Sequence, residues 1–163
     1  MKLKTLYLMC GPAGSGKSTW ANEFAAGWRV LSKSIEVISR DEIRFSLLGD
    51  STDYFSKEIE VFDTFIAKIQ HSIDKNEITI VDATHLTEKA RNSLLDKLNF
   101  KEDLAIIPVA LCFPLETCLN QNALRTGLAR VPETAIKRMY NQFVIPTHNE
   151  KYEYVDILIV GDE

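Results

Sequence analysis

Gly11-Pro12-Ala13-Gly14-Ser15-Gly16-Lys17-Ser18 spells out the whole pattern G-x-x-x-x-G-K-[ST]. A short apolar, strand-like run precedes it, Thr5-Leu6-Tyr7-Leu8-Met9. The stretch after it, Thr19-Trp20-Ala21-Asn22-Glu23-Phe24-Ala25, suits a helix. Strand, glycine-rich loop and helix in that order turn successive backbone N–H groups toward one centre, an anion-binding nest at a helix N-terminus. Lys17 then reaches the β- and γ-phosphates of a nucleotide, and the Ser18 hydroxyl sits on Mg²⁺. The alternative, a glycine-rich turn that binds nothing, leaves the flanking strand and helix unexplained.

The rest of the composition sets bounds. A chain of 163 residues suits one domain, 1–163, with its own core. Its 45% hydrophobic and 26% charged residues are ordinary for a soluble protein. No apolar run approaches a membrane span, and the phosphate loop stands where a signal peptide would have its cleavage site. Cys10, Cys112 and Cys118 are an odd number at no metal spacing, so they read as reduced thiols of a cytoplasmic protein. A net charge of -4 argues against a broad footprint on duplex nucleic acid, though not against a narrow pocket for a strand end.

Five β-type runs stand out, at residues 3–9, 35–38, 78–81, 106–111 and 157–160. Most are continuously apolar, as for strands buried on both faces of a parallel sheet. Between them lie helical patterns. Phe55, Ile59, Phe62, Ile66, Ile69 and Ile73 read as one core stripe, and Leu86, Ala90, Leu94 and Leu98 as a shorter one. Pro114 opens a helix through about Arg125. Gly127 breaks it. Pro132 starts the next, with a stripe of Ile136, Met139, Tyr140 and Phe143, and Pro146 stops that one. Alternating β and α units predict an α/β three-layer sandwich around a parallel five-stranded sheet, a P-loop NTPase fold. Ligands of such sheets lie at the carboxyl ends of the strands.

Three stretches carry chemistry there. Asp41 and Arg44, in Ser39-Arg40-Asp41-Glu42-Ile43-Arg44, share a helix face. The carboxylate suits proton removal from an acceptor hydroxyl, with the arginine on a phosphate. Equally, Ser39 and Glu42 form a capping box, and Asp41 suits a helix N-terminus without any catalytic role. Asp82 ends a strand-like run, where a rigid backbone aims it at the water shell of a metal. Thr84 reads as a cap for the next helix, and His85 as a surface or capping residue. Arg125 and Arg130 flank Gly127 in a segment expected to close over a nucleotide, a small helical lid at about 121–133. Their other reading is that of solvated helix-end cations. Lys137 and Arg138 read as a wet helix face.

Together these blocks resemble the phage-type polynucleotide 5′-hydroxyl kinases, within the adenylate-kinase-like P-loop kinases. The resemblance rests on Gly14 to Ala21 with Glu23 and Phe24, Arg40-Asp41 with Arg44, and Asp82 with Thr84. It continues through Asn122, Arg125, Val131-Pro132 and Arg138-Met139-Tyr140. It implies that Gly14, Ser15, Gly16, Lys17, Ser18 and Thr19 hold ATP and that Ser18 and Asp82 face Mg²⁺. It further implies that Asp41 is the general base, that Arg44 contacts the phosphate beside the reacting hydroxyl, and that Asp82 and Thr84 line the acceptor pocket. Lys17, Asp41 and Arg125 would be the catalytic set. Two departures stand out. Gln121 replaces a basic residue, and one extra residue before Pro132 makes Arg130 a rival to Arg125 for the γ-phosphate. The implied acceptor is the 5′-hydroxyl end of single-stranded RNA or DNA, in nucleic-acid repair with a separate phosphatase or ligase as partner. A kinase of a small alcohol (nucleoside, sugar or antibiotic) and a non-catalytic ATP-binding switch are the competing readings.

Overall fold

The continuously apolar runs become the strands β1 (Lys4–Cys10), β2 (Ile35–Ser39), β3 (Ile78–Asp82), β4 (Leu104–Cys112) and β5 (Asp156–Ile159). The helices are α1 (Lys17–Val30), α2 (Arg40–Leu48), α3 (Glu58–Lys75), α4 (Glu88–Leu95), α5 (Leu115–Ala123) and α6 (Glu133–Gln142). The computed structural model describes residues 3–100, 104–150, 152 and 156–159. Val160, expected at the end of a strand, lies outside the described residues.

All the strand pairings are parallel, in the order β2-β3-β1-β4-β5. Alternate strand residues feed two cores. Leu6, Leu8, Ile38 and Val81 pack with Ile43 of α2, Val61, Phe65 and Ile69 of α3, and Leu94 of α4. On the opposite face Met9, Ile35, Ile80, Val109 and Leu111 meet Ala21 and Ala25 of α1. Every residue of β3 is buried, so this strand lies inside both layers at once. The result is the three-layer α/β arrangement. A third cluster, Ala13, Cys118 and Ile136, ties the phosphate loop to α5 and α6.

Several local expectations are corrected. The α3 stripe is displaced: Val61, Phe65, Ile69, Ser72 and Ile73 are its buried residues. Phe55 is 69% exposed and Ile59 81% exposed. Phe55 precedes the helix, which begins at Glu58, so helical periodicity does not apply to it. Phe62 and Ile66 only flank the core. Ala90 is exposed and lies outside the core of α4. Tyr140, expected in the α6 stripe, is 37% exposed, whereas Ile136 is fully buried. The helix after Pro114 ends at Ala123, two residues short of Arg125. Residues 121–133 hold only the end of α5, a 3-10 turn at Gly127–Ala129 and the first residue of α6. Among the described residues no helix is long and apolar enough to cross a membrane.

Candidate active site

The segments leaving β1, β2 and β3 enclose one cavity of about 420 Å³. Gly14 and Gly16 shape the phosphate loop, which reaches the cavity through Ala13, Lys17 and Ser18. Gly14 sits at φ +80, and a Cβ there would run into the Cys118 carbonyl oxygen of α5. Gly16, at φ +83, is the left-handed N-cap of α1, a conformation that penalises any side chain. Lys17 is buried, and its ammonium donates to the Pro12 carbonyl at 2.6 Å and to the Ser15 hydroxyl at 3.4 Å. Burial pushes its pKa down to about 8; Asp82 opposes that shift and Arg125 adds to it. An anion brought beside this lysine favours its charged form further.

Ser18 donates to Asp82 Oδ2 at 2.7 Å. Parallel pairing places Asp82 opposite Ser39, so β3 delivers it next to the start of α2. Burial raises the Asp82 carboxyl above its ordinary pKa, against the Ser18 bond and the Lys17 charge. A hydroxyl touching a carboxylate offers hard oxygen donors. Among the described residues no group of three or more His, Cys, Asp or Glu side chains is arranged to hold a metal alone. This donor set fits Mg²⁺, which binds through one or two carboxylates and completes its shell with substrate phosphates and water.

The acceptor wall comes from α2 and the turn before α3. Ser39 caps α2 by accepting from Glu42 N at 3.3 Å, the N-cap half of the expected capping box, worth about 1 kcal/mol. Asp41 nonetheless remains available, with its side chain 60% exposed. Arg44 is nearly buried and fully engaged. It donates to Asp41 Oδ1 at 2.5 Å, to the Tyr54 hydroxyl at 3.0 Å and, through Nε and Nη2, to both oxygens of Glu58 at 2.9–3.3 Å. The Tyr54 hydroxyl also donates to Asp41 Oδ1 at 3.2 Å, and Arg40 reaches Glu58 at 2.5 Å. Burial, and then the Asp41 charge, push the Tyr54 hydroxyl up to about 12, so it stays protonated.

Glu58 and Tyr54 are the site residues that sequence reasoning missed. Both lie more than ten positions from Asp41, and no spacing rule links a helix face to a turn at that distance. Lys17, Ser18, Asp41, Arg44, Asp82, Thr84 and Arg125 all line the cavity, but Gly14, Ser15, Gly16, Thr19 and Arg130 do not. Arg130 is exposed. The loop that carries both arginines is clasped by buried Asn122. Its amide donates to the Val131 carbonyl at 2.7 Å and accepts from Val131 N at 2.9 Å. Thr84 is not the expected helix cap: Thr87 caps α4 by accepting from Ala90 N at 3.2 Å. His85 is neither a surface residue nor a cap. It is buried at φ 42 with Nδ1 2.6 Å from the Met9 carbonyl, and burial pushes its pKa down to about 4.

A profile of the AAA domain family matches residues 6–146. No curated protein matches the chain. Among solved structures, a chain of the Pnkp1/Rnl/Hen1 RNA repair complex is similar at 22% identity and TM-score 0.70, over 87% of this chain and 44% of that one. The chain thus spans less than half of that relative. A sugar kinase from Janibacter sp. is similar at 16% identity and TM-score 0.62, over 96% of this chain and 84% of the other. A gluconokinase from Sinorhizobium meliloti is similar at 16% identity and TM-score 0.57, over 100% and 86%. These likenesses show a P-loop kinase-like fold.

Proposed function

Since the chain belongs to the AAA domain family, matched over residues 6–146, and has a P-loop kinase-like fold, we propose that it is an ATP-dependent kinase acting on the 5′-hydroxyl end of a polynucleotide. One observation carries this reading: the Lys17 ammonium, the Ser18–Asp82 pair and the Asp41–Arg44 pair line a single cavity. A pure nucleotide switch has no use for an exposed carboxylate held by an arginine across from its phosphate loop.

The phosphate loop and Lys17 bind the triphosphate of ATP, with Ser18 and Asp82 holding Mg²⁺. The ion supplies charge neutralisation on the phosphate oxygens when it is bound. Arg44 and Tyr54 both donate to Asp41 Oδ1, leaving Oδ2 to accept the hydroxyl proton. The acceptor oxygen then forms its bond to the γ-phosphorus as the bond to the β–γ bridging oxygen breaks, and ADP leaves with that electron pair. Arg125, the loop arginine on the cavity, meets the γ-phosphate charge. In the RNA repair assembly the similar chain is found with other proteins; a separate ligase or phosphatase remains the partner proposed for this chain.

The second reading, a kinase of a small alcohol, draws on the similarity to sugar kinases and on a cavity of about 420 Å³, ample for a small acceptor. One assay separates the two. The protein is incubated with γ-labelled ATP and separate panels of 5′-hydroxyl oligonucleotides, nucleosides and sugars. Label should enter oligonucleotides far faster than any small alcohol, and Asp41→Asn should abolish transfer while ATP binding remains. Equal or better phosphorylation of a nucleoside or sugar would overturn the polynucleotide reading.

A further inference from the structure

Phe55 stands out among the apolar residues because it is exposed at the rim of the cavity and not at a random point of the surface. Single exposed apolar side chains are common and need no explanation. This one is attached to the acceptor machinery. Its ring meets Tyr54 edge to face, with centroids 4.9 Å apart. The Tyr54 ring in turn lies under the Arg44 guanidinium, 4.5 Å from its centroid, while its hydroxyl donates to Asp41.

The turn that presents Phe55 is bonded internally. Phe55 N donates to Asp53 Oδ1 at 3.2 Å, the Ser56 hydroxyl donates to the Asp53 carbonyl at 2.9 Å, and the Phe55 carbonyl accepts from Glu58 N at 3.3 Å. An aromatic face is therefore held, open to solvent, one side chain away from the carboxylate that takes the acceptor.

We propose that Phe55 is a stacking platform for a nucleobase at or next to the 5′ end of the acceptor strand. The inference rests on the polynucleotide reading and deepens it. A small alcohol fits wholly inside the cavity and gains nothing from a ring on its rim. Only an acceptor that continues past the rim reaches it. Charge points the same way. The chain carries a net charge of -4, and both arginines of this wall are engaged by Glu58. A long run of backbone phosphates finds few free cations here, so affinity for a strand has to come from the bases. Stacking on an aromatic side chain changes affinity by roughly tenfold to a hundredfold per base and tolerates any base, because every base has a π-face.

The test measures steady-state phosphorylation of 5′-hydroxyl oligonucleotides by the full chain. Substrates are intact or carry an abasic residue at the first, second or fifth position; proteins are wild type, Phe55→Ala and Phe55→Trp. Phe55→Ala should raise the oligonucleotide KM about tenfold or more, with kcat and the KM for ATP held, and Phe55→Trp should restore it. An abasic residue at the first or second position should raise the wild-type KM, add nothing further in Phe55→Ala, and have no effect at the fifth. Quenching of 2-aminopurine at the sensitive position should be seen with wild type and lost with Phe55→Ala. An unchanged KM in Phe55→Ala, or an abasic penalty of the same size in both proteins, overturns the platform while leaving the kinase reading intact. If wild type phosphorylates no 5′-hydroxyl oligonucleotide, both fall together.

Discussion

His85 shows how a single residue escapes sequence logic. A lone histidine before a helix gives no sign of being buried, yet this one bonds the Met9 carbonyl at 2.6 Å and has its pKa pushed down to about 4. The pH consequence has a definite sign. Between its ordinary value of 6.5 and about 4 the unfolded chain takes up a proton that the folded chain refuses, so stability falls as pH drops through that window. At about 1.4 kcal/mol per pKa unit, the full loss is on the order of 3 kcal/mol. Asparagine tolerates a positive φ and keeps an amide donor near Nδ1, so His85→Asn should flatten the stability profile between pH 6.5 and 4. Urea titrations at intervals across that range measure it; a profile as steep as wild type would show that other groups govern acid unfolding. The acceptor wall makes a second residue-scale expectation. Glu58 holds the fork of Arg44 on both its oxygens. Charge-assisted bonds are worth about 1.5–3 kcal/mol, so Glu58→Ala should cost roughly 10- to 100-fold in kcat/KM, and Glu58→Gln less. Arg44→Lys should fail to rescue Arg44→Ala, because an ammonium cannot make the fork. Equal activity in Arg44→Lys and wild type would argue for a bare point charge.

Elements built from short-range signals were legible, and elements that depend on what lies beneath them were not. The phosphate loop and α1 follow from glycine positions alone, and α2 follows from Ser39 as its cap. The face of α3 does not. The stretch from Phe55 through α3 has apolar residues at Phe55, Ile59, Phe62 and Ile66 as well as at Val61, Phe65, Ile69 and Ile73, giving two overlapping stripes. Which one is buried depends on where the sheet runs, and the first stripe extends past it to the cavity rim. The α5–α6 connection raises the same question for its arginines. Arg125 lines the cavity next to Lys17, whereas Arg130 is exposed and outside it. An arginine on the transferring phosphate is worth about 10³–10⁵ in turnover. Arg125→Ala should therefore lose orders of magnitude in kcat and Arg130→Ala little. Single-turnover rates at saturating ATP decide it; near-wild-type rates in Arg125→Ala would remove this loop from the chemistry.

At the scale of the whole molecule, the parallel α/β sandwich follows from buried strands alternating with helices, and the site at the strand ends follows from that topology. What no pattern reveals is the contact that holds the segment after α6 in place. Arg91 of α4, fully buried, donates from Nε and Nη2 to Glu150 at 2.8 and 2.7 Å, and from Nη1 to the carbonyls of His85 and Val144 at 2.9 and 3.0 Å. The two partners are 59 residues apart, beyond any local rule. This cluster fixes the segment after α6 against the stretch that leaves β3, and so braces the Asp82–His85 wall of the cavity from behind. Breaking such a pair on one side strands a charge in the interior and costs about 3–5 kcal/mol, while replacing both members with apolar groups is often neutral or stabilising. Arg91→Met should thus lower the urea midpoint sharply, and Arg91→Met with Glu150→Leu should recover most of the loss. Recovery of stability need not bring back activity. Arg91 also anchors two backbone carbonyls, which methionine cannot replace, so the double variant should fold and still phosphorylate poorly. Wild-type turnover in the double variant would mean that the pair stabilises the fold without shaping the cavity.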